Sequence, residues 1–310
     1  VKKISFVIPV FRNKDAIQIT CQKISDLFKS VHTSYQLEIL LIDDGSDDGS
    51  TDQIRELVNA HSQIRALIFS RNFGQVPAIT AGLRHCSGDA AVVMSADLQD
   101  PVTLVSDMIG KWEAGSEIVI CHRLDREDAF LARITSAIFY RFMKLSNPRM
   151  PKGGFDFVLL GRQAIDAYNS INERNRFFQG DILWMGMPIT YIPYKRLKRT
   201  IGKSQWSFSK KLKYLIDGSL NTSYIPIRFM SMLGLVVALL GFVYAMVVVY
   251  ARLINQVPFS GYAPIVILIL IIGGILMLML GIIGEYLWRI YDETRKRPEY
   301  VVREKLNPHE

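Results

Sequence analysis

Short apolar runs alternate with amphipathic stretches through the first two thirds of the chain. Residues 4–10, 37–42, 64–69, 90–94 and 117–121 have the length and composition of buried strands. Between and after them, apolar positions recur at helical spacing near 16–31, 51–60, 77–85, 101–114 and 131–145. The alternation predicts an α/β domain: a mostly parallel sheet covered by helices on both faces, with ligands at the carboxyl ends of the strands.

The last third follows another pattern. Residues 229–251 and 257–284 carry no charged side chain, and each run is long enough to cross a hydrocarbon layer about 30 Å thick. Two transmembrane helices are expected, at about 229–251 and 263–284. The connector 252–262 holds one cation, Arg252, whereas Lys and Arg crowd residues 195–213 before the first run and 289–305 after the second. The positive-inside rule places both flanks on the cytoplasmic side, so the two spans form a hairpin with a short external turn. The expected organisation is a cytoplasmic catalytic domain at 1–200, a juxtamembrane interfacial segment at 201–227, the two spans within 228–286 and a cytoplasmic tail at 287–310. Phe208, Leu212, Leu215, Ile216 and Leu220 recur at roughly helical spacing with Lys210, Lys211 and Lys213 between them. This pattern fits an interfacial helix, with core packing as the alternative. Phe139, Tyr140 and Phe142 face lipid or the core on the same grounds.

Composition narrows the picture. The chain has 310 residues, 49% of them hydrophobic, with 37 Lys and Arg against 29 Asp and Glu, a net charge of +8. Disorder is excluded. The charge calls for an anionic partner. Because the cations crowd beside the apolar spans, that anion is lipid or a phosphorylated substrate rather than nucleic acid. The three cysteines form no Cys-x-x-Cys pair, which excludes a disulfide framework and a structural zinc. Free thiols suit the cytosol, and the run 4–10 is too short for a signal-peptide core.

Candidate chemistry sits where strands end. Pro9-Val10-Phe11-Arg12-Asn13 follows the first strand, Asp43-Asp44-Gly45-Ser46-Asp47-Asp48-Gly49-Ser50 the second, Ser70-Arg71-Asn72-Phe73-Gly74-Gln75 the third and Ser95-Ala96-Asp97-Leu98-Gln99-Asp100-Pro101 the fourth. One crevice should collect all four. No G-x-G-x-x-G follows the first strand and no G-x-x-x-x-G-K-[ST] occurs, which argues against a dinucleotide dehydrogenase and a P-loop NTPase. Each loop also has a plainer explanation. Residues 43–50 can be a turn and a helix cap, and Asp100 can cap a helix opened by Pro101. Asp97, on the last strand residue, is the better candidate for metal ligation.

Together with Val7-Ile8-Pro9-Val10-Phe11, these loops resemble family 2 glycosyltransferases with a GT-A fold, in particular the polyprenyl-phosphate glycosyltransferases akin to dolichol-phosphate mannose synthase and bactoprenol glucosyltransferases. The resemblance continues through 154–162, 173–186, 199–206 and Gly284-Glu285-Tyr286-Leu287-Trp288-Arg289. It implies a Rossmann-like domain that binds a nucleotide sugar, followed by interfacial helices and a transmembrane hairpin. The implied activity is inverting transfer of a sugar, from UDP-glucose or UDP-N-acetylglucosamine, to undecaprenyl or another polyprenyl phosphate in a bacterial inner membrane.

Carried over by position, Pro9, Val10, Asp44, Arg71 and Gln99 hold the donor, with Asp44 near the base. Asp97 holds Mg2+ or Mn2+, a hard cation on oxygen ligands that neutralises the departing diphosphate. Asp156 is the family's base or an orienter of the acceptor. Arg123, Arg199, Lys203 and Ser204 meet the acceptor phosphate, although the last three, beside a span, suit anionic head groups equally well. The resemblance also implies a homo-oligomer, a tetramer in some members. Three positions depart from the family pattern: Ser95 where Asp is common, Gln75 where Lys or Arg is common, and Val158 in place of Arg. A processive polysaccharide synthase is disfavoured because Gln-x-x-Arg-Trp is missing. A catalytically weak lipid-phosphate-binding scaffold is the reading from another class.

Overall fold

A computed structural model describes residues 1–31, 33–123, 148–151, 154–195, 225–253 and 263–307. Expectations that fall on 131–145, on Arg199, Lys203 and Ser204, and on the interfacial helix 207–220 lie outside the described residues. The chain divides into two compact units, Val1–Gly218 with Pro298–Glu310, and Ser219–Arg297.

In the first unit, β1 (Lys3–Val10), α1 (Lys14–Ser30), β2 (Gln36–Asp43), α2 (Ser50–Ala60), β3 (Ile64–Phe69), α3 (Gln75–His85) and β4 (Ala90–Val93) alternate as the pattern of apolar runs requires. They continue into α4 (Leu104–Glu113), β5 (Ile118–Arg123), β6 (Phe157–Gly161), α5 (Arg162–Ser170), α6 (Phe178–Trp184) and β7 (Ile189–Tyr194). A last strand, β8 (Val302–Leu306), completes an eight-stranded sheet of order β7-β5-β6-β4-β1-β2-β3-β8.

The sheet is mixed. β4, β1, β2 and β3 run parallel, as do β5 and β7, but β6 enters antiparallel between β4 and β5, and β8 antiparallel beside β3. The expectation of a mostly parallel sheet therefore holds for the first half and needs correction for the second. As a result, the ends of β1 to β5 and β7 share one edge with the beginnings of β6 and β8.

Side chains alternate across the sheet and both faces are buried, so the central strands are apolar throughout. Ile4, Phe6, Ile8, Ile39 and Leu41 pack with α1, α2 and α4, whereas Val7, Leu40 and Ile42 pack with α3, α5 and α6. Gly82 lets α3 lie directly on the sheet, since a Cβ there would stand 2.2 Å from Val7 Cγ1. At the edge away from the crevice, buried Glu38 accepts hydrogen bonds from Ser5 Oγ at 2.5 Å, Ser87 N at 2.8 Å and Arg65 at 2.8 Å. This network ties the starts of β1, β2 and β3 to the turn before β4.

The second unit consists of α7 (Ile225–Leu253) and α8 (Ala263–Thr294). Large apolar side chains such as Leu235, Leu239, Phe242, Met277 and Leu280 are exposed along both helices. Among the described residues one segment, Ile271–Thr294, is long and apolar enough to cross a membrane, and Met230–Tyr244 forms a shorter apolar stretch. Helix α8 runs on to Thr294, ten residues past the span end expected at 284, and the expected tail contains a strand of the sheet.

Candidate active site

The tandem aspartates after β2 have separate tasks. Asp43 Oδ1 accepts the Ser46 N–H at 2.9 Å and Oδ2 the Thr51 hydroxyl at 2.5 Å, which closes the turn into α2. Asp44 points the other way, and its two oxygens accept the backbone N–H groups of Phe73 at 2.6 Å and Gly74 at 2.9 Å. The turn-and-cap explanation thus accounts for Asp43, and for Asp48, which accepts both N–H and Oγ–H of Ser50. It does not account for Asp44, which clamps the loop after β3. Gly45 makes the approach possible: its φ is +70°, and a Cβ there would stand 2.5 Å from the Arg71 carbonyl carbon.

Beside this pair of loops, Val10 buries its side chain in the core and gives its carbonyl to Asp44 N at 2.9 Å, while Pro9 is half-buried. Any donor contact by Val10 is therefore made with backbone. Arg71 is exposed, with its guanidinium 4.5 Å from the centre of the Phe73 ring. At the rim, Arg12 grips Asp47 through two hydrogen bonds of 2.6 Å.

After β4 the chain turns sharply. Leu98 holds a φ of +59°, costly for a residue with a Cβ and common at functional sites. The turn keeps Asp97 and Asp100 buried, with Ser95 between them. The Ser95 hydroxyl lies 2.5 Å from Asp97 Oδ1 and 3.0 Å from Asp100 Oδ2, and Gln99 N–H donates to Asp97 Oδ1 at 3.2 Å. Two buried carboxylates thus converge on one hydroxyl in this turn. The donors are hard oxygens, as Mg2+ and Mn2+ prefer, and such ions commonly take only one or two carboxylates, filling the remaining places with water and substrate phosphate. Accordingly, among the described residues no three His, Cys, Asp or Glu side chains gather to hold an ion alone. The residues fit a divalent cation shared with a diphosphate.

Asp100 does not cap a helix. Helix α4 begins at Leu104, after a turn in which Leu104 N–H bonds to Pro101 O at 3.1 Å. Instead Asp100 Oδ1 accepts the buried Tyr194 hydroxyl at 2.7 Å. Burial and the Asp100 carboxylate both push the Tyr194 pKa above its ordinary value, so the phenol stays a donor.

Tyr194 and Arg123 are partners in the β5–β7 register. Arg123 reaches Asp156 Oδ2 at 2.9 Å, with its own side chain 10% exposed and that of Asp156 41%. Burial works against the Arg123 charge, but Asp156, with help from Tyr194 and Asp100, raises its pKa overall. Gln179, on α6, donates to Phe155 O at 2.7 Å and approaches Asp156 Oδ1 at 3.4 Å.

The structure thus brings Asp97, Gln99, Arg123 and Asp156 to one sheet edge with Pro9, Asp44 and Arg71. Tyr194 and Gln179 were not foreseen. The β-branched and aromatic run Ile189-Thr190-Tyr191-Ile192 is the signal for β7, and with it for a tyrosine at a strand end.

Residues 5–166 match the family described as Glycosyl transferase family 2. The chain belongs to this family. It is 36% identical over 303 residues to a protein of Escherichia coli K12 named prophage bactoprenol glucosyl transferase homolog, covering 97% of this chain and 98% of that one. It is 35% identical over 303 residues to the bactoprenol glucosyl transferase of Shigella phage SfV, with the same coverage. Against the Bacillus subtilis protein named uncharacterized glycosyltransferase YkcC it is 35% identical over 300 residues, 96% of this chain and 92% of that protein. As a family 2 glycosyltransferase it is an enzyme with a GT-A-like mixed sheet, and the sheet edge described above is its candidate active site.

Proposed function

We propose that this glycosyltransferase moves one sugar from UDP-glucose or UDP-N-acetylglucosamine to undecaprenyl phosphate or a similar polyprenyl phosphate, with inversion at the anomeric carbon. The observation that carries the proposal is the meeting at one sheet edge of an acidic turn, where Asp97 and Asp100 share the Ser95 hydroxyl, with the ion pair of Arg123 and Asp156. Nearly full-length likeness to proteins named bactoprenol glucosyl transferases supports the acceptor.

In this scheme Pro9, Val10 and Arg71 contact the nucleotide, and Asp44 shapes the loop that carries Arg71. A nucleotide base near Asp44 shares that carboxylate with the backbone of Phe73 and Gly74. Asp97, with Asp100 through Ser95, would hold Mg2+ or Mn2+. The ion supplies charge neutralisation for the departing diphosphate. Gln99 lies on the same turn, beside the donor.

Arg123 attracts the acceptor phosphate and Asp156 orients the arginine. A phosphomonoester already carries about 1.5 to 2 negative charges near neutral pH, so its oxygen needs little deprotonation. Positioning and electrostatics supply most of the rate. Arg199, Lys203 and Ser204 complete the acceptor side. Helices α7 and α8 cross the bacterial inner membrane as a hairpin, and the catalytic domain is cytoplasmic. Exposed apolar side chains along both helices support this placement.

Mass spectrometry of the lipid product tests the scheme. A single hexose or N-acetylhexosamine on a polyprenyl monophosphate, β-linked by proton coupling, is expected. A chain of sugars, or a polyprenyl diphosphate product, would contradict it.

A further inference from the structure

The tail after α8 returns to the donor side of the crevice. β8 pairs antiparallel with β3, and the register shifts between Ile68 and Phe69, just before the loop that carries Arg71. There the Ser70 N–H donates to Val301 O at 3.0 Å, and the Tyr300 ring stacks on Phe69 with centroids 5.0 Å apart and planes 10° from parallel. Phe69 in turn meets Phe73 edge to face at 5.8 Å, and Phe73 carries the Arg71 guanidinium. Glu299 fixes the approach through Arg84 of α3 at 2.8 Å. The Phe73 ring is thus supported through Phe69 by Tyr300, while its backbone N–H is held by Asp44.

We propose that residues 299–302 are a positioning element of the donor site. Tyr300 and Val301 hold the loop 70–74 in the conformation that presents Arg71 to a nucleoside diphosphate. Aromatic stacking of this geometry adds to the burial of the rings themselves. An added edge strand also fixes backbone that would otherwise be an open end of the sheet. The tail follows both long helices in the chain, so a product truncated anywhere before residue 299 lacks the element. The inference rests on the donor assignment made above, and its test separates the two.

The full-length protein in detergent is titrated with UDP and Mn2+ by calorimetry, and amide hydrogen exchange is followed in the ligand-free state, for the wild type, Tyr300→Ala and Tyr300→Phe. Tyr300→Ala is expected to weaken UDP binding about tenfold and to speed exchange at 70–74 selectively, with KM for the polyprenyl phosphate unchanged. Tyr300→Phe, which keeps the stacked ring, restores both. Wild-type UDP affinity and exchange in Tyr300→Ala would overturn the proposal, as would faster exchange spread evenly over the sheet. Failure of the wild type to bind any nucleotide would sink the donor assignment, while exchange at 70–74 would still decide whether Tyr300 holds the loop.

Discussion

Tyr194, the last residue of β7, donates its hydroxyl hydrogen to Asp100 in the turn after β4 and lies in register with Arg123 at the end of β5. This contact joins the acidic turn proposed to face the donor to the arginine proposed to meet the acceptor. Tyr194→Phe removes the donor and leaves Asp100 Oδ1 without that hydrogen bond. A lost hydrogen bond to a buried carboxylate costs about 1 to 3 kcal/mol. We expect a lower melting temperature and a kcat reduced about tenfold, equivalent to ~1.4 kcal/mol in the barrier. Tyr191→Phe, whose hydroxyl donates to Arg149 O away from this turn, is the control. Initial rates and thermal melting of both variants check the expectation.

Arg123 and Asp156 act as a unit. If Asp156 works by orienting the arginine, Arg123→Ala and Asp156→Asn each raise KM for the lipid phosphate, and the double variant is little worse than either. Contacting residues of this kind show interaction energies of about 0.5 to 3 kcal/mol in a double-mutant cycle. Additive losses, with a new pH dependence of kcat in Asp156→Asn, would instead mark Asp156 as the base.

Gly45 is a test of the donor loop. An Ala there needs a left-handed backbone and a Cβ in collision with Arg71. Gly45→Ala is expected to raise KM for the nucleotide sugar at least tenfold and to leave KM for the lipid phosphate nearly unchanged, as measured by steady-state kinetics.

Much of the crevice was legible in the sequence because each loop follows an apolar run. The loops that carry Pro9, Asp44, Arg71 and Asp97 follow from the rule that parallel strands present their ends together, whereas the donor and metal roles of these residues rest on the family resemblance. Pro101 points to an immediate helix start with Asp100 as its cap, whereas Pro101, Val102 and Thr103 intervene before α4 and Asp100 meets Tyr194 instead. The strands β6, β7 and β8 are harder to read from the sequence: their partners are distant along the chain, and Val302–Leu306 places three consecutive charged residues between two aliphatic ones. Only the pairing with β3 makes that segment a strand.

Buried Glu38 and half-buried Asp181 give opposite pH dependences. Burial raises Asp181 to about 6 from 3.8, although Arg176 at 2.9 Å pulls it down. Its stabilising contribution is therefore full below about 4 and lost as the pH rises through about 6, a difference of about 3 kcal/mol by 1.36 kcal/mol per unit. Glu38 is also penalised by burial, but Ser5, Ser87 and Arg65 together lower its pKa from 4.5. Its contribution is present above that value and lost as the pH falls through the lower one. Thermal melting between pH 2.5 and 7 should show the gap between wild type and Asp181→Asn widening as the pH falls from about 6 to about 4, and the gap to Glu38→Gln narrowing only below about 4.5.

The most direct measurement is radiolabel transfer from a panel of UDP- and GDP-sugars to a short-chain polyprenyl phosphate, with Mn2+ or with EDTA, for the wild type and Asp97→Asn. The account predicts lipid-linked label from one donor, dependent on the cation and reduced at least a hundredfold by the substitution, about 2.7 kcal/mol in the barrier. Equal transfer in EDTA and in Asp97→Asn, or no lipid product from any donor, would contradict it.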